Sequence, residues 1–358
     1  MNPKNNNPKV AIITLNWNTW EDTIEALESI YQSTYSNYEI VVVDNASMDG
    51  SIEKIKEYAD GQIEVKSPYV KYDPSNKPIY VVEYTKEDAE RGGLPEYESK
   101  LKNIPSNKKL IIIKNDENYG YAEGNNIGIR YILNKDPKKE FKYILLLNND
   151  VAVDKSWLNE LVKVMEKDPK VGIAGSKVLD YYNPNLIQNA GGYIYWWVGW
   201  IKDVGWIPDN GDSRVEERDF VWSTSALFRR ELFETLGFLD PYFFFGVEEY
   251  DFNTRAKKAG FKILYVPTSK IWHKKGASAK KLDLYKEVKQ AIIKQRGFLY
   301  YKHYYRLFKK HLPPIIFLIP FLLFMQRNLS KLGFYFLKHL AKGEFDRIVA
   351  GIRRLKEI

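Results

Sequence analysis

The sequence predicts an α/β protein, a parallel sheet whose strands are joined by crossover helices, and three observations predict it. Short β-branched runs alternate with segments of helical periodicity. The runs break abruptly into polar residues, as in "LLLNNDVAVD" at 145–154. A length of 358 residues accommodates one large α/β domain with an appendage.

The N-terminal "MNPKNNNPKV" lacks the apolar core of a secretory signal, and residues 1–9 read as a short disordered tail. "KVAIITLNWN" is a first strand that ends in polar residues, and "WEDTIEALESIYQS" sets Ile24, Leu27, Ile30 and Tyr31 at helical spacing. "YEIVVVDNASMDGS" is a second buried strand breaking into Asp, Asn, Ser and Gly, and "SIEKIKEYA" is a second helix. Residues 62–108 interrupt the rhythm. They are rich in Tyr, Lys, Glu and Pro with one strand-like run, "PIYVVEY", and read as an insertion forming a hairpin with loops. "KKLIIIKNDENYGYAEGNNIGIRYIL" resumes with a strand, a Gly/Asn-rich loop and a helix. "YILLLNND", "KSWLNELVKVMEK" and "VGIAGSKVLD" are the next strand, helix and strand. Gly- and Trp-rich residues 187–228 read as hairpin strands before a helix beginning near Arg230. "EEYDFNTRAKKAG" is a polar helix and "FKILYVP" a strand; after "IWHKKGAS" the chain turns basic and helical.

There is no cysteine, which excludes disulfides, thiolate zinc and Cys nucleophiles. The net charge of +8 hides an asymmetry: from Lys270 onward there are 21 Lys plus Arg against 5 Asp plus Glu, a net of +16, so the body before it is acidic. A basic, aromatic tail points to an anionic partner. Its charges flank the apolar "LPPIIFLIPFLLFM" at 312–325, which favours an anionic membrane surface over nucleic acid. That run carries three prolines and falls short of the roughly 18 to 20 apolar residues that span a bilayer. Region 279–358 is therefore expected to lie at the interface, placing a cytoplasmic protein peripherally on a membrane. The alternative is a C-terminal helical hairpin packed on its own domain or on a second subunit in a homodimer.

In an open α/β sheet ligands bind beyond the carboxyl ends of the strands. Four polar clusters fall there: Thr14 to Trp17, Asp44 to Ser47, Asn115 through Asn126, and Asn148-Asn149-Asp150. One such end is a commonplace turn; four from one sheet converge on one place. No Gly-rich dinucleotide or P-loop motif follows the first strand, so a divalent cation is the economical holder of phosphate. Mg²⁺ or Mn²⁺ takes oxygen ligands, one or two of them carboxylates, and Asp150 suits that role.

"VAIITLNWN", "VVVDNASMDGS", "ENYGYAEGNNIGI", "YILLLNNDV" and "EEYDFNTRAKKAGFKILYVPTSKIWHKKGAS" resemble, in order, the motifs of family 2 inverting glycosyltransferases, with the flavour of the rhamnosyltransferase-like members. The likeness runs over residues 10–278 apart from the insertion. It implies a GT-A fold, a Rossmann-like mixed sheet, with a nucleotide-diphosphate sugar donor (UDP- or dTDP-sugar), a glycan or lipid-linked acceptor, and a metal held by a D-x-D-type motif. Carried over by position, Asp44 contacts the nucleoside, Thr14 and Asn16 line the base pocket, and Asn118 and Gly124 approach the ribose or diphosphate. Asp150 binds the metal and His273 completes its site. Asn148 stands where the family's first Asp often stands, and a neutral amide is a weaker metal ligand; Asn148 and Asn149 are assigned to the nucleotide sugar. Glu249 aligns with the base that takes the acceptor's proton, with Glu248 in reserve. Arg255 either faces the diphosphate or pairs with Asp251 four residues before it. Trp196, Trp197 and Trp222 form an acceptor platform or pack within a hairpin. Two further readings use the same sheet. A sugar-nucleotidyltransferase needs a Gly-rich, Arg-containing first loop, which "LNWNTWEDT" is not; a non-catalytic nucleotide-sugar-binding protein needs no base.

Overall fold

The computed structural model describes residues 7–274 and 302–313, with scattered positions from 316 to 326. β1 (Lys9–Asn16), α1 (Trp20–Tyr31), β2 (Tyr38–Asp44) and α2 (Ser51–Ala59) open the alternation. β3 (Tyr80–Thr85) precedes two short helices, α3 (Lys86–Glu90) and α4 (Pro95–Leu101). β4 (Lys109–Lys114), α5 (Gly120–Lys135), β5 (Phe141–Asn148), β6 (Val151–Val153), α6 (Trp157–Lys167) and β7 (Val171–Asp180) follow. Short strands come next: β8 (Leu186–Asn189), β9 (Gly192–Tyr195), β10 (Trp200–Asp203), β11 (Ile207–Pro208) and β12 (Glu216–Glu217). β13 (Ser225–Arg229), α7 (Arg230–Leu236), α8 (Glu248–Lys258) and β14 (Lys262–His273) complete the sheet region.

The strand order is β11-β8-β7-β13-β5-β1-β2-β4-β3, with β14 against β7, β6 and β12, and a separate pair of β9 and β10. β3, β4, β2, β1 and β5 are mutually parallel. β13 enters antiparallel between β5 and β7, so the sheet is mixed, as in the implied fold, rather than wholly parallel. The insertion is no hairpin. Its one strand, β3, extends the sheet parallel to β4, and a parallel neighbour requires a long crossover rather than a tight turn.

Pleating explains why these strands read as continuous apolar runs. Val10 and Ile12 enter one core layer with α1, α2 and α6; Ala11 and Ile13 enter the other with α5, α7 and α8. Two compact units are distinguished: residues up to 192 with 203–278, and 193–202 with the chain beyond 278. In the second, residues 302–311 are helical, burying His303, Tyr304, Leu307 and Phe308 and exposing Lys302, Arg306, Lys309 and Lys310. Much of the apolar segment 312–325 lies outside the described residues, as does the tail before residue 7. Among the described residues no helix is long and apolar enough to cross a membrane.

Candidate active site

The register brings the polar strand ends level: Asn16 pairs with Asp44, Asp44 with Lys114, and Leu15 with Asn148. The chain steps from β1 outward to β2 and β4, then returns to β5 on the other side of β1. Such a reversal of strand order opens a crevice beyond the carboxyl ends.

On the β1–β2 side the expected nucleoside residues form a closed network. Asn16 Nδ2 donates to Asp44 Oδ2 at 2.6 Å and to Ser47 Oγ at 3.1 Å. Asp44 Oδ1 accepts from the Ser47 backbone N–H at 2.9 Å. Thr14 is fully buried, and its Oγ1 has no hydrogen-bond partner. Asn118 Oδ1 accepts from the Gly120 N–H at 2.9 Å, seating the start of α5, and lies 3.3 Å from Asn45 Nδ2. Gly124 is a packing position: a Cβ there would come 2.6 Å from Leu15 Cδ1 and 2.9 Å from Asn45 Nδ2.

At the end of β5 the side chains of Asn148 and Asn149 part in direction. Asn149 turns inward, its Nδ2 2.7 Å from Thr19 Oγ1, 2.8 Å from Thr23 Oγ1 and 3.3 Å from Asn16 Oδ1. Asn148 turns the other way, with its Oδ1 3.2 Å from the Tyr121 hydroxyl. β6 pairs with β14 so that His273 stands opposite Val151, next to Asp150.

His273 Nε2 lies 3.1 Å from Asp150 Oδ1, and Nδ1 lies 2.5 Å from Gln188 Oε1. The Gln188 amide is oriented by its nitrogen, 3.3 Å from the His273 carbonyl and 3.4 Å from Asp180 Oδ2. Nδ1–H therefore donates to Gln188, and Nε2 is the nitrogen turned toward Asp150. Two facing electron-pair donors, one carboxylate and one imidazole whose tautomer is held from behind, fit a divalent cation. Among the described residues no group of three or more His, Cys, Asp and Glu is placed to hold a metal. Lys274 closes the rear: its N–H donates to Asp150 O, and its ammonium bonds Asp22 Oδ1 at 2.6 Å and Glu25 Oε2 at 2.5 Å.

Glu248 and Glu249 open α8, whose preceding residue, Val247, is held at φ +84°. A β-branched residue in that region is strained, and strain of this kind gathers at working sites. Oε2 of each glutamate is sealed from solvent without a hydrogen-bond partner, although Glu249 as a residue is partly exposed. Burial, then the charge of Glu249, pushes the Glu248 carboxyl well above its usual range. Burial also raises Glu249, opposed by a hydrogen bond from Glu248 and reinforced by nearby Asp203. The proton of the pair therefore rests on Glu248, whose carboxyl is raised further than that of Glu249. Trp222 Nε1 donates to Asp203 Oδ1 at 2.9 Å, which ties that tryptophan to the acidic pair.

Three further expected residues have surroundings of their own. Arg255 is engaged within the protein, with Asp251 Oδ2 at 3.0 Å and the Leu236 and Phe238 carbonyls at 2.8 and 2.7 Å; of its two readings the structure has the Asp251 pair. Trp196 packs with Phe308 and His311, ring centroids 6.0 and 5.6 Å away. Trp197 is exposed. Sequence reasoning missed Gln188, within "LIQNAGG", and Tyr121, within "ENYGYAEGNN", because neither carries a local signal of its role. The Tyr121 hydroxyl lies 3.2 Å from Asn148 Oδ1 and 3.0 Å from Ser223 O.

The family profile described as Glycosyl transferase family 2 matches residues 10–77 and 87–237. The chain is 24% identical over 169 residues to the low-salt glycan biosynthesis hexosyltransferase Agl10 of Haloferax volcanii, covering 46% of this chain and 52% of that protein. It is 30% identical over 144 residues to the O-antigen biosynthesis protein RfbC of Myxococcus xanthus, covering 38% of this chain and 11% of that one. It thus spans about half the length of the first relative and about a tenth of the second. Among solved structures, mannosyltransferase PcManGT from Pyrobaculum calidifontis, in complex with GDP-Man and Mn²⁺, superposes with TM-score 0.52 at 17% identity, covering 99% of this chain and 82% of that one. GalNAc-T7 with UDP, GalNAc and Mn²⁺ gives 0.50 at 17% identity, covering 75% and 44%. These likenesses establish the GT-A fold.

Proposed function

This chain belongs to glycosyl transferase family 2, and on that premise we propose that it moves a sugar from a nucleotide-diphosphate donor, a UDP- or dTDP-sugar, to a glycan or lipid-linked acceptor with inversion. The observation that carries the reading is the facing pair of Asp150 Oδ1 and His273 Nε2, 3.1 Å apart beyond the carboxyl end of β5.

In this reading Glu249 takes the proton of the acceptor hydroxyl as its oxygen attacks the anomeric carbon, and the bond to the diphosphate breaks on the opposite face. Glu248 holds the proton of the pair and leaves Glu249 as the carboxylate. Asp150 and His273 would hold Mg²⁺ or Mn²⁺, whose chemistry when bound is to neutralise the departing diphosphate. Asp44, Thr14, Asn16 and Asn118 border the nucleoside end. Asn149 acts from behind, fixing Asn16 against α1. Trp222, held by Asp203, is a tryptophan available to an acceptor.

The relatives' names support sugar transfer in glycan assembly, and the solved neighbours hold UDP or GDP-mannose with Mn²⁺. For the C-terminal region we propose the cytoplasmic face of an anionic membrane as partner. Exposed basic residues on helix 302–311 and exposed Ile319, Leu322 and Leu323 support it. The test of function is a panel of nucleotide sugars scored by thermal stabilisation and by donor turnover, each with Mn²⁺, Mg²⁺ or EDTA. Cation-dependent stabilisation by one donor together with turnover is expected; stabilisation without turnover by any donor would leave a binding protein.

A further inference from the structure

We propose that Tyr121 is a positioning residue that turns the amide of Asn148 so that its nitrogen, rather than its oxygen, meets the donor's diphosphate. The inference rests on the reading of this cleft as a nucleotide-sugar site.

The Tyr121 hydroxyl has one proton and two acceptors in reach, Ser223 O at 3.0 Å and Asn148 Oδ1 at 3.2 Å, a three-centre bond. Burial, with the charges of Glu248 and Glu249, keeps that proton on the phenol, so the group is a standing donor. Its place is fixed from several sides. The Tyr121 N–H donates to Phe244 O at 2.7 Å, and the ring meets Phe245 edge-on with centroids 6.5 Å apart. The preceding Gly120 has φ +74°, and a Cβ there would come within 2.5 Å of the Phe244 carbonyl oxygen, so glycine is required for this approach. Asn148 is anchored too, its backbone N–H donating to Thr224 O at 3.0 Å.

An asparagine, unlike an aspartate, has two unlike ends. With Oδ1 engaged by Tyr121, Nδ2 is the end left for a ligand. Asn148 is half-buried rather than sealed, its Nδ2 makes no hydrogen bond to a described residue, and Asp150 follows two residues on. Where an aspartate would face the diphosphate with like charge or recruit a cation, Asn148 offers an N–H to a phosphate oxygen. The position then acts as an anion contact, and Asp150 remains the carboxylate of the pair.

The experiment is isothermal titration of the full-length protein with UDP, dTDP and GDP, in Mn²⁺ and in EDTA. For whichever diphosphate binds, Asn148→Asp should weaken affinity roughly tenfold or more in both conditions, as expected for a lost hydrogen bond to a charged oxygen. Tyr121→Phe, which keeps the ring, should weaken it several-fold in the Asn148 protein and add nothing in an Asn148→Ala background; thermal melts confirm that each variant is folded. Binding by Asn148→Asp equal to or tighter than wild type in Mn²⁺ would make the position a cation ligand and overturn the proposal. Additive losses from Tyr121→Phe would overturn it as well, leaving Tyr121 merely structural. A wild-type protein that binds none of the three diphosphates would remove the underlying reading of the cleft, a failure distinct from the other two.

Discussion

His273 Nε2 and Asp150 Oδ1 face each other at 3.1 Å across the β6–β14 pairing, and Gln188 decides which ring nitrogen carries the proton. Removing that support by Gln188→Leu should lower cation affinity by about 10- to 100-fold while the fold persists. Titration of Mn²⁺ against nucleotide binding measures it. Asp150→Ala should cost on the order of 10²-fold or more in turnover. Cation-independent activity in Asp150→Ala would end the metal assignment.

Glu249→Gln keeps the shape of the acidic pair and removes its proton acceptor. Donor binding should survive while transfer falls by about 10²- to 10⁴-fold. The reverse pattern, with Glu248→Gln inactive and Glu249→Gln active, would exchange the two roles.

The acidic limb of the pH–rate profile should lie above the ordinary glutamate range near 4.3, because burial raises Glu249 and it must be ionised to act. The hydrogen bond from Glu248 opposes that rise. Glu248→Gln retains a donor and should leave the limb nearly in place, whereas Glu248→Ala should move it upward. Profiles of kcat/KM for the three proteins decide the matter.

Stability carries the same signature with a definite sign. The folded protein holds the Glu248 proton more tightly than the unfolded chain, so this contribution is complete below the unfolded value and lost as pH rises through the folded one. Glu248→Gln needs no proton. It should melt higher than wild type at about pH 8 and show little difference near pH 4. Equal melting curves at both pH values would show that the carboxyl is not held protonated.

The resemblance brings Gly124 toward the ribose or diphosphate, yet the space a Cβ would take there is occupied by Leu15 and Asn45. Gly124→Ala should therefore destabilise the fold by about 1–3 kcal/mol through overpacking. Denaturant unfolding measures this. A stable variant with weakened nucleotide binding would return Gly124 to the ligand.

Deleting residues 312–358 should release the protein from anionic vesicles and leave nucleotide-sugar binding intact. High salt should weaken attachment only in part, since the apolar contribution is not screened. Full-length protein that ignores anionic vesicles at low salt would point instead to packing or dimerisation.

What the sequence determined by itself is the order of strands and helices and the polar residues at the strand ends, from "LNWN" to "LLLNND". Period-2 and period-3.6 patterning and turn chemistry are local, so they are written within a few residues of where they act. The tertiary structure decided which polar groups remain for a ligand. Asn149 meets Asn16 across 133 residues, Tyr121 meets Ser223 across 102, and His273 meets Gln188 across 85. Arg255 likewise takes the carbonyls of Leu236, at the end of α7, and of Phe238, just beyond it. A buried polar group must find a partner wherever the fold brings one, and a pairing made at such separations has no signature in the residues around either end.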